Sequence, residues 1–247
     1  MRLGLGLGIS GPSGKDGDGG RGVEAVAPQL SGLTLWLRSD LGVTLNTSNG
    51  NVSAWADQSG AGHHLSQSTA AAQPPYSTSG GPGLNGPFVG PFDGIDDFIR
   101  GSWTQSQPEH VFAVCRVHSA TWTTSHTAFD GFGVGNTRRL FTPADNQMGS
   151  FAGAAINDTL DSTLRANWQR HVTKFNGVNS SYRISNRTLL TGDLGTAVSG
   201  GITLGVFGSL GGAFAVCSFA EILIYNRILT IPEEAAVNAY LTARYGI

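Results

Sequence analysis

The chain has 247 residues, of which 40% are hydrophobic and 13% are charged, and its formal net charge at pH 7 is −2. A chain of this length can bury a large core without a disulfide or a metal, while a near-neutral charge leaves no basic stripe that could neutralise a nucleic-acid backbone. We therefore expect no nucleic-acid partner, and we expect no membrane insertion because no run approaches the roughly 18 apolar residues of a membrane span.

Glycine recurs at every third position near the start of the chain. The repeating residues are Gly8, Gly11, Gly14, Gly17 and Gly20. This is the period of the collagen triple helix, where only glycine fits at the crowded axis. Residues 1–22 therefore predict either a flexible glycine-rich linker or a short three-chain peg that acts as an anchoring arm. The second interpretation implies a homotrimer.

After Val23 the chain becomes a series of short apolar runs separated by turn signals, and we assign residues 23–247 to one domain. The predicted strands are 33–37, 52–55, 111–117, 169–175, 182–185, 202–206 and 214–225. Positive-φ turns are predicted at Asn49-Gly50, Asn85-Gly86, Asp93-Gly94 and Asn176-Gly177. Many short strands and 36 glycines favour an all-β fold in which two sheets face each other.

One helix is predicted at the C-terminal end. Thr230 followed by Glu233 forms a capping-box pattern, and Pro232 suits a first helical turn. Four apolar residues then recur at helical spacing, namely Val237, Tyr240, Leu241 and Tyr245. We expect this helix to pack against the sheets rather than to form a second domain.

The two cysteines, Cys115 and Cys217, lie far apart in similar apolar runs and lack metal-ligand spacing. The pattern favours two buried free thiols. The alternative is a disulfide, which would require their strands to be neighbours with correctly directed Cβ atoms.

Four segments carry a resemblance to a known family. They read LWLRSD at 35–40, VSAWADQSG at 52–60, FDGIDDF at 92–98, and FAEILIYNR at 219–227 with the final YLTARYGI at 240–247. In this order they resemble the concanavalin-A-like and laminin-G-like domains of secreted bacterial and phage proteins. The resemblance implies a two-sheet antiparallel jelly-roll sandwich with a short C-terminal helix.

We predict that the chain is not an enzyme. Jelly-roll glucanases carry the acids Glu-x-Asp-x-x-Glu along one strand, with the first two on the same face, and no such motif is present. Glu221 lies in a predicted strand, but its neighbours at two-residue steps, Phe219 and Leu223, are apolar. The adjacent pair His63-His64 would point to opposite faces of a strand and does not form a zinc site.

Calcium is the one metal that the sequence suggests, and we expect no other cofactor. Asp93, Asp96 and Asp97 share one turn, and the resemblance implies that the separate loop with Asp57 lies near the rim of the sandwich. Hard oxygen ligands at this density suit Ca²⁺. The alternative is that these aspartates accept hydrogen bonds from backbone N–H groups of their own turns.

Two tryptophans are candidates for sugar stacking, because exposed aromatic rings pack on the C–H groups of a pyranose. Trp103 and Trp122 lie in Ser/Thr-rich stretches that we predict to be loops. Trp36, Trp55 and Trp168 lie in strand contexts, where core packing is the expected role.

These features predict a structural protein of a phage virion, either a head decoration or a tail or head fibre component. Its arm would bind capsid or tail proteins, and its sandwich would face outward and could bind host-surface glycans. A collagen-like segment ahead of a compact β domain resembles phage fibre proteins. The alternative is a carbohydrate-binding or adhesion module of a bacterial surface or secreted protein.

Overall fold

The computed structural model describes residues 29–83, 85–118, 125–133, 139–142, 147–159 and 167–247. These residues form two antiparallel β-sheets and one α-helix near the C-terminus. The predicted all-β class, the two stacked sheets and the closing helix are confirmed. The glycine-rich residues 1–22 and Trp122 lie outside the described residues.

The elements follow one another along the chain with short connections. In order they are β1 (Leu33–Arg38), β2 (Val43–Leu45), β3 (Val52–Trp55), β4 (Leu65–Ser66), β5 (Tyr76–Ser77), β6 (Phe88–Val89), β7 (Ile99–Ser102), β8 (Glu109–Val117), β9 (His126–Asp130), β10 (Arg139–Thr142), β11 (Gln147–Phe151), β12 (Ala155–Thr159), β13 (Gln169–Phe175), β14 (Ser180–Ile184), β15 (Leu190–Gly192), β16 (Gly201–Leu204), β17 (Cys217–Tyr225) and the helix α1 (Ile231–Tyr245). Two short 3-10 turns cover Ala70–Ala72 and Gly177–Asn179.

Sheet A has eight strands in the order β15-β14-β13-β8-β17-β6-β5, with β1 also paired to β17. Sheet B has nine strands in the order β12-β11-β10-β9-β16-β7-β4-β3-β2. The central pair β8 and β17 of sheet A is buried along nearly its whole length. Strands buried on both faces read as continuous apolar runs, which is why these two were visible in the sequence.

The inner faces of the two sheets enclose the main core. Trp55, Phe92, Phe129 and Phe219 are among its largest members, and all are at most 1% exposed. Cys115 and Cys217 lie in this core on the neighbouring strands β8 and β17 as free thiols, as predicted. Burial raises the pKa of both thiols well above the ordinary value.

The outer face of sheet A is covered by α1. The helix begins with the predicted capping box between Thr230 and Glu233, and it ends at Gly246 in the left-handed conformation. Its buried residues are Val237, Tyr240, Leu241 and Tyr245. They form a second apolar layer with side chains of β1, β8, β13 and β17. No helix in the described part of the chain is long and apolar enough to span a bilayer.

The predicted strand 202–206 ends at Leu204, and the predicted strand 214–225 needs a correction at its start. The apolar run starts at Phe214, but the strand begins only at Cys217. Ala213 has a φ of +60°, which a regular strand cannot contain, and the Ala215 N–H bonds to the Gly205 carbonyl outside the sheet ladder. Residues 214–216 therefore belong to a loop in which Ala215 is buried and its two neighbours are half-buried.

Candidate functional site

The helix lies on sheet A, and the outer face of sheet B carries polar side chains around β7. Strand pairing aligns four residues across this face, in the order Ser66 on β4, Arg100 on β7, Thr203 on β16 and Asp130 on β9. Residues directly opposite in antiparallel strands share one face. Their inward neighbours Ile99 and Leu204 lie in the main core.

The guanidinium of Arg100 lies close to two aromatic rings. Its guanidinium carbon is 4.7 Å from the ring centroid of Phe132 and 5.5 Å from that of Phe98, distances at which a cation is attracted to the ring. The guanidinium makes no hydrogen bond or ion pair with any described residue. Every other arginine whose side chain the structure describes makes at least one. The guanidinium donors of Arg100 are therefore unpaired within the described part of the chain.

Arg100 lines a groove of about 520 Å³, here called the Arg100 groove. Its lining residues are His64, Ser66, Gln67, Ser68, Thr69, Phe98, Arg100, Gly101, Ser102 and Phe132. The lining holds hydroxyl, amide, imidazole and guanidinium groups but neither aspartate nor glutamate among the described residues. Glycine is needed at position 101, because a Cβ there would lie 2.5 Å from the His64 carbonyl oxygen.

The loop that carries His64 is fixed by Asp57. One carboxylate oxygen of Asp57 accepts the N–H groups of Trp36 and Ser59, each at 2.9 Å. The other accepts the Ser59 hydroxyl and the His63 N–H. The Asp57 N–H in turn donates to Nδ1 of His64 at 3.0 Å, so the imidazole of His64 carries its proton on Nε2.

The predicted sugar-stacking residue Trp103 is half-buried against the main core and contacts two residues of a second groove. Its ring stacks on His63 with centroids 4.5 Å apart and an interplanar angle of 7°, and its Nε1 donates to Gln105 at 3.0 Å. Both partners line this second groove, which has a volume of about 340 Å³. One face of Trp103 is occupied by His63, so a ligand role for this residue stays a prediction.

The three clustered aspartates come together as the sequence suggested. Ligand atoms of Asp93, Asp96 and Asp97 lie within 4.8 Å of one another. Oδ1 of Asp93 accepts N–H groups from the next turn, including those of Ile95 and Asp96. Asp57 is not a member of this group, since its oxygens hold the loop before His64.

The turn also sets the ionisation of its acids. Burial, followed by the nearby charge of Asp93, raises the pKa of Asp97 to about 7. Burial alone would raise the pKa of Asp93 as well. The hydrogen bonds that its carboxylate accepts from backbone N–H groups outweigh burial, so the pKa of Asp93 is lowered. Both the calcium interpretation and the turn-capping alternative are compatible with this geometry.

Glu221 is a structural carboxylate. It is fully buried between sheet A and α1, where it accepts hydrogen bonds from Trp36 Nε1 at 2.7 Å, Tyr240 OH at 2.8 Å and Tyr245 OH at 2.7 Å. Arg244 approaches it at 3.3 Å. Burial raises its pKa, although these hydrogen bonds oppose the effect. The side chain joins the helix to the sheet and lines none of the grooves described here.

Comparisons with known proteins identify the fold. No protein-family model matches the chain, and no curated protein matches it in sequence. A Trypanosoma rangeli sialidase in complex with sialic acid matches with a TM-score of 0.55 and 12% identity, over 87% of this chain and 33% of the sialidase. An arabinofuranosidase complexed with arabinofuranosyl-alpha-1,2-xylobiose matches with a TM-score of 0.59 and 16% identity, over 87% of this chain and 60% of the enzyme.

A third match is the binding domain of Paraclostridial Mosquitocidal Protein 1, with a TM-score of 0.57 and 12% identity, over 86% of this chain and 52% of that one. The chain thus spans about a third to three fifths of the length of these structures. At such identities the likeness concerns the fold alone, and it shows a β-sandwich of the jelly-roll type.

The Arg100 groove was missed by reasoning from the sequence. Phe98 ends the FDGIDDF segment, and Arg100 follows it two residues later. The local sequence signal for this groove was an aromatic residue two positions before an arginine at the start of a strand. Phe132 lies far away along the chain, and only the pairing of β7, β16 and β9 brings its ring to Arg100.

Proposed function

We propose that the sandwich is a non-catalytic carbohydrate-binding module and that it binds glycans in the Arg100 groove. The observation that carries this proposal is a groove lined by hydroxyl, amide and imidazole groups beside two aromatic rings. Glycan sites combine such polar groups with aromatic surfaces. The matched sialidase and arabinofuranosidase, each in complex with a sugar, support the proposal by fold analogy alone.

The absence of turnover is part of the same proposal. Glycoside hydrolysis generally requires two carboxyl groups that flank the scissile bond, and the described lining of the groove includes none. Glu221 is occupied by its bonds to Trp36, Tyr240 and Tyr245. Release of reducing ends from any bound glycan, abolished by Glu221→Gln, would contradict this part.

Filling the groove tests where the glycan binds. Ser66 is exposed and lines the groove, so Ser66→Trp should block it and remove binding on a glycan array. Thr78 is also exposed and lines none of the described grooves, so Thr78→Trp is the matched control. Binding that survives in Ser66→Trp would place the glycan elsewhere.

We further propose that the module is displayed on a phage particle. The glycine period in residues 1–22 favours this second role, because an arm of three collagen-like chains would join a homotrimer to capsid or tail proteins. Light scattering of the full chain should then give three times the chain mass, and deletion of residues 1–22 should abolish attachment to particles. A monomer that attaches without these residues would refute this role and leave the alternative of a bacterial adhesion module.

A further inference from the structure

The unpaired guanidinium of Arg100 indicates a class of glycan. We infer that the Arg100 groove recognises a sugar that carries a carboxylate, such as a uronic acid or a sialic acid, and that Arg100 binds this group directly. The inference rests on the proposed glycan-binding function and adds the charge of the ligand to it.

The geometry of Arg100 suits a carboxylate. A guanidinium offers parallel N–H donors that match the two oxygens of a carboxylate. The rings of Phe98 and Phe132 lie against this group at 5.5 Å and 4.7 Å. The two contacts restrict the side chain before a ligand arrives, which lowers the entropic cost of binding.

Among the described residues, no acid competes for Arg100. Asp130 is the carboxylate in its cross-strand row, but Thr203 lies between them. Asp130 is 1% exposed, and it accepts the N–H groups of Gly131 and Gly208. The described lining of the groove therefore holds an arginine without a counter-ion.

His64 provides a second fixed donor at the edge of the groove. Its Nδ1 accepts the Asp57 N–H, so Nε2–H is the ring donor that remains. The exposed hydroxyls of Ser66 and Ser102 line the same groove. The groove thus combines one charged donor with neutral groups that suit sugar hydroxyls.

Pairs of sugars that differ in the carboxylate test the inference. The full chain is titrated with a galacturonic acid oligomer and its methyl ester, with sialyllactose and lactose, and with sulfated lactose. In at least one of these pairs, we expect the acidic sugar to bind about 30-fold more tightly than its neutral partner. This ratio corresponds to the free energy that a hydrogen bond to a charged group typically contributes. Added salt should weaken only the acidic ligand.

Substitutions locate the charge recognition. Arg100→Met should abolish the preference for the acid, and Arg100→Lys should retain only part of it because lysine lacks the planar fork. Arg116→Met is the matched control, since Arg116 also lies against an aromatic ring, at 5.4 Å from Trp168, but on sheet A. Thermal unfolding of each variant confirms that it is folded.

Each outcome decides between the two proposals. Equal binding of acids and their neutral partners, unchanged in Arg100→Met, would overturn the inference and leave glycan binding in place. A preference for sulfated lactose over both carboxylates would also overturn it. Failure of every sugar to bind to the folded protein would overturn the proposed function as well.

Discussion

The outer faces of the two sheets differ in whether their charged side chains have hydrogen-bond partners. On sheet A, the helix α1 covers the surface, and the buried carboxylate of Glu221 is bonded to Trp36, Tyr240 and Tyr245. On sheet B, the guanidinium of Arg100 lies in a groove and bonds to no group in the described part of the chain. The first arrangement joins two layers of the fold, whereas the second is the basis of the proposed ligand site.

The largest effect is expected on sheet A. Glu221→Ala would leave the donors of Trp36, Tyr240 and Tyr245 buried without this acceptor, and we expect a loss of about 4 kcal/mol in the free energy of unfolding. Urea denaturation measures it. Glu234→Gln is the control, because this partly exposed partner of Lys174 and Arg183 should cost less than about 1 kcal/mol. Equal losses would contradict a special role for Glu221.

A smaller effect is expected at Asp97. Its pKa is about 7 in the folded protein against an ordinary value of 3.8, so the folded state binds the proton more tightly. This contribution to stability is complete below about pH 4 and is lost as the pH rises to about 7. Relative to the wild type, Asp97→Asn should gain about 2 kcal/mol in the free energy of unfolding as the pH rises over that range. This gain is smaller than the full pKa shift of Asp97 implies, because solvent beside the turn screens the charge. A constant difference across the range would refute the shifted pKa.

The same pair of proteins tests the calcium hypothesis. If Asp93, Asp96 and Asp97 bind Ca²⁺, adding it at pH 8 should raise the melting temperature of the wild type, since a ligand that binds only the folded state stabilises it. Asp97→Asn should respond less. No response in the wild type would favour the alternative in which these aspartates only cap their turn.

Thr203 tests whether an unpaired polar group on sheet B costs stability, and it lies beside Arg100 in the cross-strand row. Its hydroxyl is buried and has no hydrogen-bond partner among the described residues, so Thr203→Val should stabilise the protein by about 1 kcal/mol. Thr173 is also buried, but its hydroxyl bonds to Ser150 at 2.8 Å, and Thr173→Val should destabilise by a similar amount. Urea denaturation of both variants gives the signs.

The smallest change in stability is expected at Arg100 itself. Arg100→Met keeps the apolar stem and removes only contacts with two rings, so the free energy of unfolding should change by less than about 1 kcal/mol. A loss above roughly 3 kcal/mol in thermal or urea unfolding, the size expected when a buried ionic partner is removed, would mean that the residue supports the sheet. Its lack of a partner would then need another explanation.

The fold could be predicted where local patterns determine the structure. The capping box of α1 and the strand Gln169–Phe175 were both predicted at their observed positions, because caps and apolar runs are local features. Strands such as Leu65–Ser66 and Phe88–Val89 were missed. Two residues carry no periodic signal, and their pairing depends on neighbours far away in the chain.

The candidate site was less predictable than the fold. The cluster of Asp93, Asp96 and Asp97 was found because its members share one turn. The Arg100 groove was not, because an arginine without a partner can be identified only when the surrounding elements are in place. The stacking of Trp103 on His63 was hidden for the same reason.

The burial of Cys115 and Cys217 has a practical consequence for experiments on the groove. Both thiols are inaccessible in the core, and burial raises their pKa, so little reactive thiolate forms near neutral pH. A cysteine introduced at exposed Ser102 would then be the preferred target of a maleimide dye. The sequence is thus already suited to placing a single fluorescent reporter in the Arg100 groove.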